Sequence, residues 1–387
     1  MKSIYLDYAA TTPLDPRVKE AMEPYWSEEF GNPSSLYPLG KRAKRTIEEA
    51  REEIASILHA RPEEIIFTGG GTEAANLAIF GVSQQFPSGH IISTPIEHPA
   101  VLEPIEVLRK REYGVTFASV DEYGSVDPEE ISKSLRPDTI LVTVMYANNE
   151  IGTIEPIAEI GKQIKKFKKE QKKGPTEPPY VFTDACQAAG YYSLDVEKLG
   201  VDLLALNGSK LYGPKGIGAL YIRKGVLISP VIYGGGQERG LRSGTENVPA
   251  IVGLARALEI ANSERVSESA RLTELRDYCM KEILRIVPGA RVNGHPHERL
   301  PNNINISIPG VEGDALVIYL GERGISVSTG SACSSADLEP SHVLKAIKCP
   351  EEYLRGSLRI SLGRHTTKED IDAFIRTLSE TLTALQK

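Results

Sequence analysis

Cysteine is scarce in this chain: there are four among 387 residues, Cys186, Cys279, Cys333 and Cys349, and none forms a Cys-x-x-Cys pair. So few and so scattered, they exclude a disulfide framework and argue against a structural zinc site. Long apolar runs are also missing, since no stretch approaches the roughly 20 residues that a membrane helix needs. The first residues, Met1 to Pro13, carry Asp7 and lack a basic-then-apolar pattern, so no signal peptide is expected. Positive charge is not in excess: 45 Lys and Arg against 52 Asp and Glu give a formal net charge of −7. That argues against a general nucleic-acid binder. What remains is a cytoplasmic function with a small-molecule or protein partner, and with neither membrane nor direct nucleic-acid contact.

What is present is a globular composition, 41% hydrophobic and 25% charged, on a chain too long for one ordinary domain. From about residue 60 to 225, short β-branched runs alternate with longer helical patterns. The strand candidates are Ile65–Phe67, His90–Thr94, Val115–Ser119, Thr139–Val144, Tyr180–Thr183, Val201–Leu206 and Ile217–Ile222. Ile157, Ile160, Ile164 and Phe167 recur at helical spacing behind Pro156, a favoured first-turn residue. This alternation predicts an α/β domain with a mostly parallel sheet, whose ligands bind beyond the carboxyl ends of the strands. Near residue 262 a second region begins. It has a long amphipathic helix, strands at Asn303–Ile308 and Ser357–Ser361, and helices at Asp314–Glu322 and from Lys368, the last with Thr366 and Glu369 at capping-box spacing. We therefore expect a large domain over 14–261 and a smaller α+β domain formed by 1–13 and 262–387.

One biased stretch stands apart, KKFKKEQKKGPTEPP at 165–179. It reads either as a solvated helix end running into a Pro-rich loop or as a docking surface for an acidic partner.

Candidate chemistry sits at the strand ends. Lys210, in LNGSKLYGPKG, follows the apolar run Val201–Leu206 and lies between Gly208 and Gly213. The two glycines have the spacing of a nucleotide-binding P-loop, but Pro214 stands where its lysine must follow, so that reading fails. Asp184, in VFTDACQAAG, ends another run and suits either a helix cap or a partnership with a protonated ring nitrogen. Gly69, Gly70, Gly71 and Thr72 join a strand to a helix, where backbone N–H groups and the helix dipole favour a phosphate. A lysine, a carboxylate and a phosphate cradle are three of the things a pyridoxal 5'-phosphate (PLP) enzyme takes from its protein. The fourth is an anchor for the substrate carboxylate.

Together, the segments YLDYAATTP, GNPSS, GGGTEAANLAI, EHPAVL, YANNEIGTI, TDACQAAG, GGGQERGLRSGTENV, STGSACSSADLEPSHVL and RISLGRHTTKEDID give the chain a specific character. In order, and over essentially its whole length, it resembles the NifS/IscS-like branch of the cysteine desulfurases, class V aminotransferases of PLP fold type I. The GSAC loop followed by LEP is the most specific element. The resemblance implies that Lys210 is the Schiff-base lysine, that Asp184 pairs with the pyridinium nitrogen, that Gln187 bonds the ring hydroxyl and that His98 stacks on the ring. Gly71 and Thr72 hold the phosphate, as does Thr245 from the neighbouring subunit of a homodimer. Asn149 and Arg359 face the substrate carboxylate, for which an arginine fork has matching geometry.

Cys333 is implied as the nucleophile that takes sulfur from L-cysteine as a persulfide, releasing alanine. The sulfur then goes to an iron–sulfur scaffold protein, a tRNA-thiolation enzyme or another acceptor. No metal is held by the chain itself, apart from the reading in which Cys333 is an iron–sulfur ligand shared with a scaffold. Three positions depart from the family pattern: Ser209 stands for a histidine, Asn207 for a serine and Tyr37 for a histidine. Both Ser209 and Asn207 retain a donor for phosphate. The separation of Asn149 from Gln187 is also longer than usual, with 165–179 as the site of the extra residues. Two other functions stay open at this point: a lyase for selenocysteine or cysteine sulfinate, and a non-catalytic member that lends Cys333 to a cluster.

Overall fold

A computed structural model describes residues 3–330 and 340–385. Its strands, in chain order, are β1 (Ile4–Tyr5), β2 (Ile65–Thr68), β3 (His90–Ser93), β4 (Gly114–Phe117), β5 (Thr139–Thr143), β6 (Tyr180–Asp184), β7 (Leu203–Asn207), β8 (Gly218–Ile222), β9 (Arg291–Val292), β10 (Asn303–Ser307), β11 (Ile325–Ser326) and β12 (Ser357–Ser361). Seven of them form the main sheet in the order β2-β8-β7-β6-β5-β3-β4. All the ladders from β7 to β4 are parallel, and only β8 runs against its two neighbours, β7 and β2. Because β8 is the reversed strand, β2 points the same way as β7, and its carboxyl end opens on the same side as those of β3, β5, β6 and β7.

Alternation within these strands explains the layers. Val142, Val181, Leu204 and Leu206 enter one buried cluster with Ile47, Ile54 and Leu254, while Leu141, Phe182, Leu203 and Ala205 enter a second with Ile79 and Val82. A sheet covered on both faces reads as continuous apolar runs, which is why these strands were legible in the sequence.

A smaller antiparallel sheet, β12-β10-β9, lies beside the two-stranded β1-β11 pair. Leu6, Ile304, Ile306, Leu358, Ile360, Phe374 and Leu378 make its core. The long helix begins at Val248, well before residue 262. Asn247 caps it, its side chain accepting from Ala250 N at 3.2 Å, and Pro249 occupies the first turn. Its 39 residues serve both cores: Ile251, Leu254 and Leu258 pack in the large one, and Leu272, Cys279 and Ile283 in the small one. The final helix, Lys368–Leu385, is capped one residue later than the sequence suggested. Thr367 and Asp370 exchange the capping bonds, because the Thr366 hydroxyl already accepts from Gly363 N at 2.9 Å. No helix among the described residues is long and apolar enough to cross a membrane.

Candidate active site

Beyond the carboxyl ends of the main strands lies a cavity of about 140 Å³. The loops after β2, β3, β5, β6 and β7 supply its walls, and the small sheet adds Arg359 from β12. Gly71, Thr72, His98, Asn149, Asp184, Gln187, Asn207, Lys210 and Arg359 all line it. Nine positions singled out from sequence are thus brought to one place.

Lys210 follows β7 in a short 3-10 turn, and its Nζ donates to Ala9 O at 2.9 Å and to Ala10 O at 2.5 Å. The same Ala9 carbonyl accepts from Gln187 Nε2 at 3.0 Å. The N-terminal segment is therefore a wall of the site, and its backbone carbonyls orient two side chains. Asp184 ends β6 and accepts from Cys186 N at 2.9 Å through Oδ1, a local turn that fixes the carboxylate at the mouth of the strand.

His98 caps the helix Pro99–Lys110, its Nδ1 accepting from Ala100 N at 3.0 Å. A ring nitrogen that accepts a backbone N–H carries no proton, so the neutral ring has its hydrogen on Nε2. Burial favours that neutral form by pulling the imidazole below its ordinary value, against the pull of Asp184.

The helix Gly71–Ser83 starts at the cavity wall, so the amides of its first turn have no partner within the helix. Gly70 there has φ 151°, and nothing lies within 4 Å of where a side chain would stand. On the outer side of this turn a second, open cavity of about 680 Å³ is lined by Gly69 to Glu73, Asn207, Ser209 and Lys215. Ser209 belongs to that outer cavity only, and its hydroxyl donates to Asn207 Oδ1 at 3.2 Å. With that oxygen occupied, the Nδ2 donor of Asn207 lies toward Gly71. Thr245 is exposed and lines neither cavity.

Arg359 is almost wholly buried. Its Nη2 pairs with Asp7 at 2.9 Å, its Nη1 donates to Asn149 O at 3.1 Å, and its Nε is buried with no protein partner. A five-donor guanidinium held at two corners keeps hydrogens for a bound carboxylate.

Cys333 lies outside the described residues. Gly330, three positions before it, lines the cavity. Of the other cysteines, Cys279 and Cys349 are buried in apolar clusters, and burial pushes both thiols up. Cys186 lines the cavity, yet burial pushes its thiol far up and Asp184 adds to the effect.

Three residues here had no signal in the sequence analysis. Met145 lines the cavity. Glu97 is fully buried behind it, accepting from Thr94 Oγ1 and Met145 N, both at 2.8 Å, and its other oxygen has no partner. Burial raises its carboxyl to about 8, so it is largely neutral at pH 7. Asp7, the third, figured only as an acidic residue of the N-terminal stretch and inside the quoted YLDYAATTP motif, with no role in the site.

The donor set suits PLP: an amine, a carboxylate, an aromatic ring and an anion-binding helix start converge on one cavity, with a buried guanidinium nitrogen left over.

The model of the aminotransferase class-V family matches residues 4–374. Among curated proteins, cysteine desulfurase IscS of Dictyoglomus turgidum is 49% identical over 387 residues, covering 100% of this chain and 96% of that protein. Among solved structures, a NifS-like protein superposes with a TM-score of 0.91 at 39% identity, covering 99% of this chain and 100% of the other. SspA in complex with cysteine gives a TM-score of 0.81 at 36% identity over 94% of this chain and 100% of that one. The chain belongs to the class-V aminotransferase family and, within it, to the cysteine desulfurases of the IscS/NifS kind.

Proposed function

We propose that the protein uses PLP to remove sulfur from L-cysteine, leaving alanine and a persulfide on Cys333. The observation that carries this reading is the convergence of Lys210, Asp184, His98, Gln187 and Arg359 on one cavity that Gly330 also lines. The cysteine bound to one solved relative supports the substrate.

Lys210 would hold the cofactor's aldehyde, Gly71, Thr72 and the Asn207 amide its phosphate, Asp184 its ring nitrogen, Gln187 its hydroxyl and His98 its face. When bound, the cofactor supplies an electron sink for the substrate's α-carbon. The protein's own groups do the rest. Arg359, anchored by Asp7, grips the substrate carboxylate with Asn149 beside it. Lys210 Nζ, oriented by the Ala9 and Ala10 carbonyls, takes the α-proton. The Cys333 thiolate attacks the substrate's sulfur: the S–S bond forms, the C–S bond breaks with its electron pair going to carbon, and protonation there completes alanine. Gly330, which lines the cavity, stands three positions before Cys333 in the sequence.

The working unit is a homodimer. Thr245 is exposed and lines neither cavity of its own chain, which suits a contact with the partner's phosphate rather than its own. Trp26, Phe30, Leu36 and Tyr233 are exposed apolar side chains of the kind a second copy covers. The setting is cytoplasmic, and the sulfur passes to an iron–sulfur scaffold protein or another acceptor.

The test is incubation of the PLP-loaded protein with L-cysteine, following alanine and trapped persulfide together. Equal first-turnover amounts support the reading, and sulfide without enzyme-bound sulfur defeats it.

A further inference from the structure

At the opposite end of β6 from Asp184, the lysine-rich stretch closes a recess that the desulfurase chemistry does not use. The helix Ile157–Glu170, the loop that follows it, the start of β6 and the turn at Gly200–Asp202 enclose about 350 Å³, more than the active-site cavity. Lys165, Lys168, Lys169, Lys173 and Arg223 line it, and Asp202 is the one carboxylate in its wall.

The charges do not cancel. Arg223 is engaged by Glu197 at 2.5 Å and Asp202 at 3.3 Å. Lys168, nearly as buried as Asp202, stands 3.7 Å from it and donates to Pro175 O at 3.1 Å. Lys173 Nζ reaches only the Pro137 carbonyl, at 2.9 Å, among the bonds described, while Lys165 and Lys169 are exposed. Three ammonium groups therefore face the recess without a carboxylate in its wall to match them, on a chain whose net charge is −7.

Lysines in a last turn commonly complement a helix dipole, and Lys168 and Lys169 are placed to do so. Lys165 lies a turn earlier and Lys173 beyond the helix, so the dipole does not account for them. Burial also pulls the Lys168 ammonium below its ordinary value, a cost that an anion in the recess would relieve.

We propose that this recess is a binding site for a compact polyphosphate group, either inorganic or the tail of a nucleotide. Several ammonium groups around a small concave volume match a short, multiply charged anion better than a flat acidic protein surface. Ile164, Pro175 and Val181 give the recess an apolar side that could take a nucleoside.

The experiment is calorimetric titration of the PLP-loaded protein, whose cofactor occupies the other phosphate site, with orthophosphate, tripolyphosphate and ATP. Tripolyphosphate should bind one per chain, more tightly than orthophosphate and more weakly as salt rises. Lys165→Ala/Lys169→Ala should weaken it on the order of tenfold, as loss of two exposed charge contacts implies, with melting temperature and cysteine turnover unchanged. The control pair Lys110→Ala/Lys281→Ala, exposed lysines elsewhere, should bind as the parent does. Equal binding of ATP and tripolyphosphate identifies the phosphate chain as the whole ligand, and tighter ATP binding adds the nucleoside. Absent binding, or equal weakening in both pairs of variants, would overturn the proposal.

Discussion

Ser341 donates its hydroxyl to Glu150 Oε2 at 2.5 Å, which joins the residue after Asn149 to the chain just past the segment that carries Cys333. The next residue repeats the arrangement: His342 Nε2 meets the carbonyl of Glu97, the neighbour of His98, at 3.0 Å. Asn305 Nδ2 braces the Glu150 backbone at 3.2 Å, and Asn148 Oδ1 accepts from its N–H at 2.8 Å. Glu150 and Glu97, each next to a residue of the cavity wall, thus hold Ser341 and His342 in place. Replacing Glu150 with alanine takes the acceptor from the buried Ser341 O–H, whose oxygen keeps the N–H groups of Val343 and Leu344, a cost of about 1–3 kcal/mol. Steady-state assays should show the rate of alanine formation falling about tenfold, with PLP affinity and KM changed less than about twofold, because the cofactor contacts lie elsewhere. A parallel loss of PLP would show that Glu150 supports the whole cavity instead.

Lys210→Ala should abolish turnover and leave no borohydride-reducible adduct with PLP. The fold should survive, since the Ala9 and Ala10 carbonyls lose one partner at the edge of a cavity that water can enter. Mass spectrometry after borohydride treatment is the check. An adduct on Lys215, whose Nζ instead holds Thr12 O at 3.0 Å, would reassign the lysine.

Glu97 gives a prediction with a definite sign. Its carboxyl is raised from 4.5 to about 8, with burial the main cause. Between those values the unfolded chain has lost a proton that the folded chain keeps, so stability falls as pH rises through that window and levels off above about 8. Glu97→Gln keeps an acceptor for Thr94 Oγ1 and Met145 N but does not titrate. Denaturant unfolding of both proteins should show the variant gaining on the parent from pH 5 to 8, by at most about 1.4 kcal/mol per pH unit. A constant difference across that range would mean that Glu97 is ionised throughout.

What the sequence revealed, and what it hid, follow from the same physics. Strands buried on both faces advertise themselves as apolar runs, and Lys210, Asp184 and the Gly69–Thr72 turn lie directly after such runs. Motif resemblance added Asn149, Gln187 and Arg359, which come together from loops and from β12, far apart in sequence. The roles of Ala9 and Ala10 were invisible because a backbone carbonyl has no side-chain signature. The helix Pro38–Leu58 went unplaced although Ala43, Ile47, Ala50, Ile54 and Leu58 recur at helical spacing along its buried side. The start of the long helix was missed because its first half is apolar nearly all round and so lacks a two-sided pattern. The hydroxyl of Ser209 faces Asn207, a pairing between neighbours that side-chain chemistry alone permits but does not specify.

Labelled-sulfur transfer decides whether sulfur from cysteine comes to rest on Cys333. Each of the four cysteines is changed singly to serine, the PLP-loaded variants are given labelled L-cysteine, and the trapped proteins are mapped by mass spectrometry. Cys279→Ser and Cys349→Ser should carry label on Cys333 as the parent does, and so should Cys186→Ser, allowing for altered PLP affinity from its place in the cavity wall. Cys333→Ser should still bind cysteine, because Lys210, Asp184, Gln187 and Arg359 remain, yet carry no label and release no alanine at an appreciable rate. Label on Cys186, Cys279 or Cys349 in a Cys333→Ser protein that still turns over would show that Cys333 is not the sulfur acceptor.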